Sequence, residues 1–293
     1  MSRKKPIPAQ VDPKTEAVFT RKGYKLKDRL AAGAFGQVYS AYKISEGEKE
    51  MCAVKVMDLE KCSEKFKQKF LPRELSILIQ VRHPNAIRIF DIFKSNNKIY
   101  IFMEFAPNGT IADHLQKNGP MDEKSTLEWF YQSGDALHFM HSELGIAHRD
   151  MKVENILLDP NNNCKLTDFG FAREVIDPKT GALKMSETFC GTEPYYCPEI
   201  IERQPYNAFL ADVWAFGVVL FAMLNNKFPF HFQDMKVMLK EQKTGSYKFR
   251  PEVDGVISKE VKDLQRKMFI TNPKNRPDMK GVMGHVWTKS YKK

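Results

Sequence analysis

The sequence lacks the cysteine patterns that bind zinc or build a disulfide framework. Its five cysteines are an odd number, are widely spaced and include no Cys-x-x-Cys pair, whereas zinc sites and small secreted domains use closely spaced or paired cysteines. We therefore expect reduced thiols in an intracellular protein, located in the cytoplasm with the nucleus as a further compartment. The five are Cys52, Cys62, Cys164, Cys190 and Cys197.

Long apolar runs are also missing. The longest, VWAFGVVLFAML over residues 213–224, has twelve residues, whereas a bilayer-spanning helix needs about twenty, so the run predicts a buried core helix. The N-terminus carries basic residues without an apolar segment, and Ser2 stands where N-myristoylation requires glycine. We expect neither a secretory signal nor attachment to a membrane.

The positive charge is concentrated near the two ends of the chain. The formal net charge of +10 suggests a polyanionic partner at first. However, residues 1–23 carry six basic side chains against two acidic ones, and residues 288–293 carry three lysines. We expect two solvated tails and no nucleic-acid partner, because a nucleic-acid surface needs basic and aromatic side chains interleaved on one face.

Strand patterns dominate the first part of the chain and helical patterns the second. Between residues 24 and 105, short segments rich in β-branched and aromatic residues are interrupted by one apolar helical stripe over residues 66–79. Pro72 within this stripe predicts a helix start or a kink. Beyond residue 110 the apolar spacing becomes helical. The chain therefore predicts an α+β protein whose two parts join near residues 104–108, and a cleft between such parts is a common ligand site.

The segment LAAGAFGQVYSAYK, residues 30–43, predicts two strands joined by a glycine turn. Gly33, Gly36 and Val38 fit the nucleotide-binding pattern G-x-G-x-x-G-x-V, whereas Ala31 stands at its first glycine. Two glycines at this spacing also mark an ordinary tight turn. Taken alone, the segment leaves a nucleotide-binding loop and a plain hairpin equally open.

Three further motifs favour the nucleotide-binding loop. IAHRDMKVENILLD contains H-R-D-x-x-x-x-N, with Asp150 and Asn155, and CKLTDFGFA places Asp168 in a D-F-G at the end of a short strand. CAVKVMDL matches the V-A-I-K-like strand of the same signature set. With the motifs in the expected order, residues 24–287 resemble the catalytic domain of eukaryotic protein kinases.

The resemblance implies a two-lobed protein kinase fold, with a small β-rich N-lobe containing one key helix and a larger α-helical C-lobe. It implies a basic tail at residues 1–23, an N-lobe at about 24–105, a C-lobe at about 106–287 and a short basic tail at 288–293. The implied reaction is transfer of the γ-phosphate of ATP, with Mg²⁺ as cofactor, to protein hydroxyls.

The resemblance also assigns catalytic roles to individual residues. Asp150 would accept or orient the proton of the attacking hydroxyl. Asn155 and Asp168 would provide the oxygen ligands that Mg²⁺ prefers. Lys152 matches a lysine that neutralises the γ-phosphate in serine/threonine kinases and that tyrosine kinases usually lack, so we expect serine or threonine acceptors.

A second group of residues is expected to bind the nucleotide. Strand alternation sends Ala53 and Lys55 to one face, where a buried lysine needs a partner, and Glu74 on the helical stripe matches the family's glutamate. Met103 would control access behind the adenine, and the backbone of residues 104–106 would hydrogen-bond the base. The full set is Leu30, Ala31, Gly33, Gly36, Val38, Ala53, Lys55, Glu74, Met103, Glu104 and Ala106.

The segment TFCGTEPYYCPEII resembles the end of a kinase activation segment, with Cys197 where the A-P-E motif has alanine. Thr188 is a candidate activating phosphosite, because a phosphate adds about −1.5 to −2 charge and could dock on Arg149. The alternative is an ordinary loop threonine. We expect Thr192 to contact the catalytic loop.

Two further residues match family positions whose roles are structural and not chemical. Asp212 in ADVW matches an aspartate that caps the central helix and holds the backbone of the catalytic loop. Arg276 in NPKNRP matches an arginine that pairs with Glu199.

Substrate preference is less evident from the sequence. Arginine-directed relatives read their substrates with several acidic residues, and Glu154 fits one of these positions. Thr110 and Ala222 stand where such relatives carry acids, so we expect a weak or altered preference for arginine.

The phrases KFLPREL and TFCGT resemble the testis-specific serine/threonine kinases of the calcium/calmodulin-dependent kinase group. This resemblance implies a role in spermatogenesis, with protein substrates, an upstream activating kinase or a chaperone as partners, and a monomeric enzyme. The alternative is a pseudokinase scaffold that binds nucleotide or partners without turnover. A scaffold does not need the full set of catalytic residues that this chain carries.

Overall fold

In the computed structural model the chain forms two units. A five-stranded antiparallel sheet forms the centre of the first unit. The first unit comprises residues 1–82 and 87–105, and the second comprises residues 83–86 and 106–293. The structure describes residues 11–33, 36–64, 67–68, 71–177 and 179–291.

The sheet confirms the strands expected from the sequence. Its strand order is β1-β2-β3-β5-β4. The helix α2 (Leu71–Gln80) begins one residue before Pro72, so Pro72 stands in the first turn, where a backbone N–H would have no partner within the helix and its absence costs nothing. Phe66 and Phe70 of the predicted stripe lie outside the described residues. The elements are α1 (Pro13–Arg21), β1 (Tyr24–Gly33), β2 (Gly36–Ser45), β3 (Glu48–Asp58), α2 (Leu71–Gln80), β4 (Ile89–Ser95) and β5 (Lys98–Glu104).

The helix α1 differs from the solvated tail expected for residues 1–23. Asp12 caps this helix by accepting a hydrogen bond from the backbone of Thr15 at 3.0 Å. Phe19 is only 1% exposed, and its ring packs edge-on against Tyr100 and Phe102 at centroid distances of 4.9 and 5.4 Å. A charge count missed this contact because one apolar side chain anchors a helix whose other residues are mostly polar.

The second unit is mostly helical, as the periodicity predicts. Its short strands form two two-stranded sheets. They are β6 (Ile146–Ala147) paired with β9 (Arg173–Glu174), and β7 (Ile156–Leu158) paired with β8 (Cys164–Leu166). The helices are α3 (Ile111–Asn118), α4 (Glu123–Ser142), α5 (Pro198–Ile201), α6 (Ala208–Asn225), α7 (Met235–Thr244), α8 (Pro251–Asp254), α9 (Lys259–Met268), α10 (Met279–Met283) and α11 (Val286–Lys289).

The helix α6 is the central core helix predicted from the apolar run. Among the described residues it is the one helix whose length and composition would allow it to cross a membrane, but 89% of it is buried inside the fold. Its N-cap is Asn207, which accepts from the backbone of Phe209 at 3.0 Å. The expectation that Asp212 caps this helix is therefore wrong, since Asp212 lies inside it, more than one turn from its start.

Candidate active site

The sheet of the first unit gathers the predicted nucleotide-binding residues on one face. Lys55 pairs with Val38 of β2, and Ala53 pairs with Met103 of β5. Ala31 pairs with Val38 from the other side. Because directly paired residues share a face and side chains alternate along each strand, these five side chains lie on one side of the sheet. The alternate residues of β3 belong to the buried cluster beneath α1.

The strands β1 and β2 pair antiparallel, which confirms the predicted strands. The pairing continues to Gly33 and Gly36, and Leu30 lies at an irregularity of β1 with its side chain 49% exposed. A Cβ atom on Gly36 would lie 2.0 Å from the carbonyl oxygen of Val56. The close pairing of β2 with β3 therefore requires glycine at position 36, whether or not a ligand binds. Residues 34–35 at the tip lie outside the described residues.

Three remaining nucleotide-binding predictions stay predictions. Glu74 lies on α2, but its side chain is outside the described residues, so its pairing with Lys55 is not tested. The backbone N–H of Glu104 donates to the carbonyl of Arg88 at 2.8 Å, and its role toward a base is not tested. Ala106 is the first residue of the second unit's main segment.

The second unit assembles a hydrogen-bonded triangle around Asp150. The ammonium of Lys152 lies 2.7 Å from Oδ2 of Asp150 and donates to Oγ1 of Thr192 at 2.9 Å. The Thr192 hydroxyl in turn donates to Oδ1 of Asp150 at 2.7 Å. Asp150 is only 4% exposed, and a buried carboxylate requires such partners. Thr192 thus contacts the catalytic loop as the sequence predicts.

Asn155 and Asp168 have the donor chemistry expected of magnesium ligands. The amide nitrogen of Asn155 donates to the carbonyl of Asp150 at 2.8 Å and to its Oδ2 at 3.1 Å, so the amide oxygen of Asn155 is the atom left to bind a cation. Asp168 adopts left-handed backbone angles, φ 60° and ψ 71°. Within the described residues no three His, Cys, Asp or Glu side chains form a metal cluster. Mg²⁺ fits this arrangement, because it takes one or two protein oxygens and completes its shell with phosphates and water.

Asp212 fixes the backbone that carries Asp150. Its Oδ2 accepts from the backbone N–H of His148 at 2.7 Å, and its Oδ1 accepts from that of Arg149 at 2.7 Å. Nε2 of His141 also lies 2.9 Å from Oδ2. Arg149 has a φ of 67°, a conformation that costs a non-glycine residue about 1 to 3 kcal/mol. The buried carboxylate of Asp212 compensates by accepting hydrogen bonds from the backbone N–H groups of two consecutive residues, His148 and Arg149.

Arg149 contacts the activation segment through backbone and sulfur atoms. Its Nη2 donates to the carbonyl of Thr188 at 3.1 Å and to Sγ of Cys190 at 2.7 Å. The hydroxyl of Tyr206 donates to the same Thr188 carbonyl at 2.9 Å. Burial raises the pKa of the Cys190 thiol, and the guanidinium of Arg149 opposes part of that rise. Thr188 is thus held by its backbone, while its side chain remains exposed.

Sequence reasoning missed the contributions of Tyr195, Tyr206 and Cys190. The hydroxyl of Tyr195 accepts from the backbone of Val153 at 3.3 Å and donates to Glu154 at 3.3 Å. The segment TFCGTEPYYCPEII marked this region, but nothing in the letters indicates which of its polar aromatic side chains turns inward.

Arg276 and Glu199 form the buried pair expected from the sequence. Nη2 of Arg276 lies 3.1 Å from Oε2 of Glu199, and the guanidinium side chain is fully buried. Arg276 also donates to the carbonyls of Leu210 and Ile270, both at 2.9 Å. This pair ties α5, at the end of the activation segment, to the region after α9.

The comparisons with known proteins agree with the motifs found in the sequence. The profile of the protein kinase domain matches residues 24–288. Testis-specific serine/threonine-protein kinase 1 of Mus musculus is 35% identical over 272 residues, covering 92% of this chain and 73% of the relative. Testis-specific serine/threonine-protein kinase 3 of Mus musculus is 36% identical over 269 residues, covering 92% and 97%. CBL-interacting protein kinase 19 of Oryza sativa subsp. japonica is 33% identical over 264 residues, covering 90% and 50%.

Proposed function

This chain belongs to the protein kinase family, as a serine/threonine kinase related to the testis-specific enzymes, and we propose that it phosphorylates protein substrates during spermatogenesis. The observation that carries the chemical part of the proposal is the triangle of Asp150, Lys152 and Thr192. A scaffold that binds without turnover is not favoured, because it would not need this arrangement.

Asp150 is the residue that receives the acceptor hydroxyl. Its carboxylate is oriented from three directions, by Lys152, Thr192 and Asn155. A serine or threonine hydroxyl that replaces part of this network would donate its hydrogen bond to Asp150 and direct its oxygen toward the phosphate. The ammonium of Lys152 would stabilise the negative charge that develops on the transferred phosphoryl group.

Candidate groups for the nucleotide lie in the first unit, and candidate groups for the metal lie in the second. In the first unit, the backbone of the glycine turn and the ammonium of Lys55 would contact phosphate oxygens. In the second unit, the amide oxygen of Asn155 and the carboxylate of Asp168 would hold Mg²⁺. The ion supplies positive charge that neutralises the phosphates during transfer.

The kinase assay uses purified protein, γ-labelled ATP and a generic protein substrate. We expect phosphate transfer to the substrate that Asp150→Asn and Lys55→Met each reduce by at least about a hundredfold. The matched controls are Asp254→Asn and Lys117→Met, which alter exposed side chains of the second unit. Equal signal from wild type and both active-site variants would identify a contaminating kinase and refute the assignment.

Thr188 is proposed as the activating phosphosite. Its side chain is exposed and its carbonyl is already held by Arg149 and Tyr206, so a phosphate can be added without removing a buried contact. The Arg149 guanidinium would then exchange part of its present bonding for the charged group. Mass spectrometry of active enzyme should find phosphate on Thr188, and Thr188→Ala should lower activity while Thr180→Ala should not. Full activity of Thr188→Ala would refute the proposal.

The biological setting is proposed from the names of the relatives. Immunostaining of testis sections should place the protein in the cytoplasm of developing germ cells, and size-exclusion chromatography should show a monomer. Pull-down from germ-cell lysate should recover an upstream kinase or a chaperone. Strong expression in other tissues with none in germ cells would refute the role in spermatogenesis.

A further inference from the structure

The helix α1 lies before residue 24, where the match to the kinase domain begins, so that match assigns it no role. It has nine residues, and an isolated helix shorter than about 12 to 15 residues is marginal in water. Contacts with the sheet must therefore supply most of its stability. The helix is thus a separate element whose docking on the sheet can be gained or lost.

The apolar contact of α1 reaches the two strands that carry predicted nucleotide-binding residues. The Phe19 ring packs edge-on against Phe102 of β5 at a centroid distance of 5.4 Å, and both belong to the buried cluster that contains Val54 of β3. Because side chains alternate along a strand, Met103, directly after Phe102, faces the opposite side of the sheet. Lys55, directly after Val54, does the same. The helix therefore packs on the back of the predicted nucleotide site.

Two polar contacts tie α1 to β4, the edge strand of the sheet. The ammonium of Lys22, the residue that follows the helix, lies 2.7 Å from Oδ2 of Asp91. The hydroxyls of Thr15 and Ser95 are 2.9 Å apart, and Thr15 is fully buried. An edge strand is paired on one side only, so these contacts add to the attachment of β4.

The contact with Asp91 lies at an irregularity of the β4–β5 pairing. The register shifts between Ile89, which pairs with Met103, and Asp91, which pairs with Phe102. Such a bulge disrupts the ladder locally and leaves a residue unpaired. Lys22 holds β4 at the residue directly beyond the bulge. The position of Met103 thus depends on a ladder that α1 supports from the other face of the sheet.

We propose that the docking of α1 is coupled to nucleotide binding. The docked helix holds β4 and β5 in the arrangement that presents Met103 to the adenine, and release of the helix weakens the binding of ATP. The inference rests on the proposed nucleotide-binding role of Met103 and Lys55. Coupling of this kind is reciprocal, so bound nucleotide also strengthens the docking of α1. A modification or a partner that releases α1 would then lower the occupancy of the nucleotide site.

The first experiment measures the Kd of a non-hydrolysable ATP analogue with Mg²⁺ by titration calorimetry on the full chain. Phe19→Ala removes the ring that α1 buries, and we expect it to raise the Kd by about fivefold or more, the lower end of the usual coupling between two sites. Phe19→Leu keeps an apolar side chain and should recover most of the affinity. Ala17→Gly changes an exposed residue and weakens the helix through its propensity alone, so it should raise the Kd by a smaller factor.

The matched control is Val261→Ala, which removes buried methyl groups from α9 in the second unit. We expect this variant to lower the temperature of unfolding and to leave the Kd of the analogue unchanged. A loss of affinity confined to the α1 variants would therefore report the coupling and not a general loss of stability.

The second experiment uses the unaltered chain and limited digestion by trypsin. Cleavage after Lys14 requires Thr15 to leave its buried position, so the rate of this cut follows the population of the released helix. Reciprocity requires saturating analogue with Mg²⁺ to slow the cut by about the factor by which release of α1 raises the Kd. Mass spectrometry of the peptides gives the rate, and cleavage of an added unrelated peptide corrects for any effect of the analogue on trypsin.

Three results would overturn the inference. The first is a Kd of Phe19→Ala within twofold of wild type. The second is an equal rise of the Kd in Val261→Ala, which would indicate general destabilisation. The third is a rate of cleavage after Lys14 that the analogue does not change. In each case wild type still binds the analogue, and the proposed function stands. A wild type that does not bind the analogue would instead overturn the proposed nucleotide site and the inference with it.

Discussion

Replacing Asp212 by asparagine tests whether this buried carboxylate holds the catalytic loop in its active conformation. The carboxylate accepts from the backbone N–H groups of His148 and Arg149, both at 2.7 Å, one on each oxygen. An asparagine has one amide oxygen, so one of these two buried N–H groups must face an NH₂ group in either orientation of the amide. The geometry of the loop would otherwise remain unchanged.

The expected cost follows from these contacts. A hydrogen bond to a charged group contributes about 1.5 to 3 kcal/mol, and a buried donor left without a partner costs about 1 to 3 kcal/mol. The strained backbone of Arg149 is no longer compensated, and the next residue is Asp150. If about 3 kcal/mol is lost from the positioning of Asp150, kcat falls by about a hundredfold, since 1.36 kcal/mol corresponds to a factor of ten.

The assay is steady-state phosphorylation of a peptide by wild type, Asp212→Asn and a matched control. The control is Gln265→Met. Gln265 is fully buried and donates at 3.0 Å to the carbonyl of Gly217, which lies on α6 like Asp212. We expect both variants to lower the temperature of unfolding, but only Asp212→Asn to lower kcat with little change in the KM for ATP. A kcat of Asp212→Asn within threefold of wild type would refute the proposed role in positioning.

Gly36→Ala should destabilise the first unit by about 1 to 3 kcal/mol, because the new Cβ would meet the Val56 carbonyl at 2.0 Å; an unchanged unfolding temperature would contradict the described strand packing. Arg276→Met should cost about 3 to 5 kcal/mol by leaving the Glu199 carboxylate buried and unpaired, and adding Glu199→Gln should recover part of the loss; strictly additive losses in urea unfolding would contradict this coupling. Iodoacetamide should alkylate Cys190 more slowly in the folded than in the urea-unfolded protein at pH 8, since burial raises the pKa of its thiol above the usual 9.0. The protonated thiol therefore favours the folded state fully below pH 9, and this contribution is lost as the pH rises through the raised pKa; equal rates in peptide-resolved mass spectrometry would refute the burial.

The grouping of the candidate catalytic residues could be predicted because they lie close together in the sequence. Asp150, Lys152 and Asn155 belong to one loop, and their spacing alone brings them within reach of one another. Likewise, strand alternation sufficed to place Ala53 and Lys55 on one face.

Other parts of the site depend on contacts between distant segments. The sequence predicts that Arg149 binds a phosphate on Thr188, and this stays a prediction. The structure adds that Arg149 donates to the Thr188 carbonyl and to the Cys190 sulfur. The capping role expected of Asp212 was wrong, because the position of a helix start depends on which polar side chain meets the first free N–H groups, and Asn207 does so here.

By itself, the sequence determined the kind of protein and its reaction class. Strand alternation and helical periodicity are properties of neighbouring residues and indicated an α+β chain. The resemblance of its local motifs to those of protein kinases implied a two-lobed serine/threonine kinase with a defined set of catalytic groups. Only the tertiary structure decided that Phe19 anchors an N-terminal helix on the sheet, that Gly36 is required by the approach of Val56, and that Arg149 bonds to the Thr188 carbonyl and the Cys190 sulfur. These features arise from burial and from hydrogen bonds between distant segments, and no local pattern of residues encodes them.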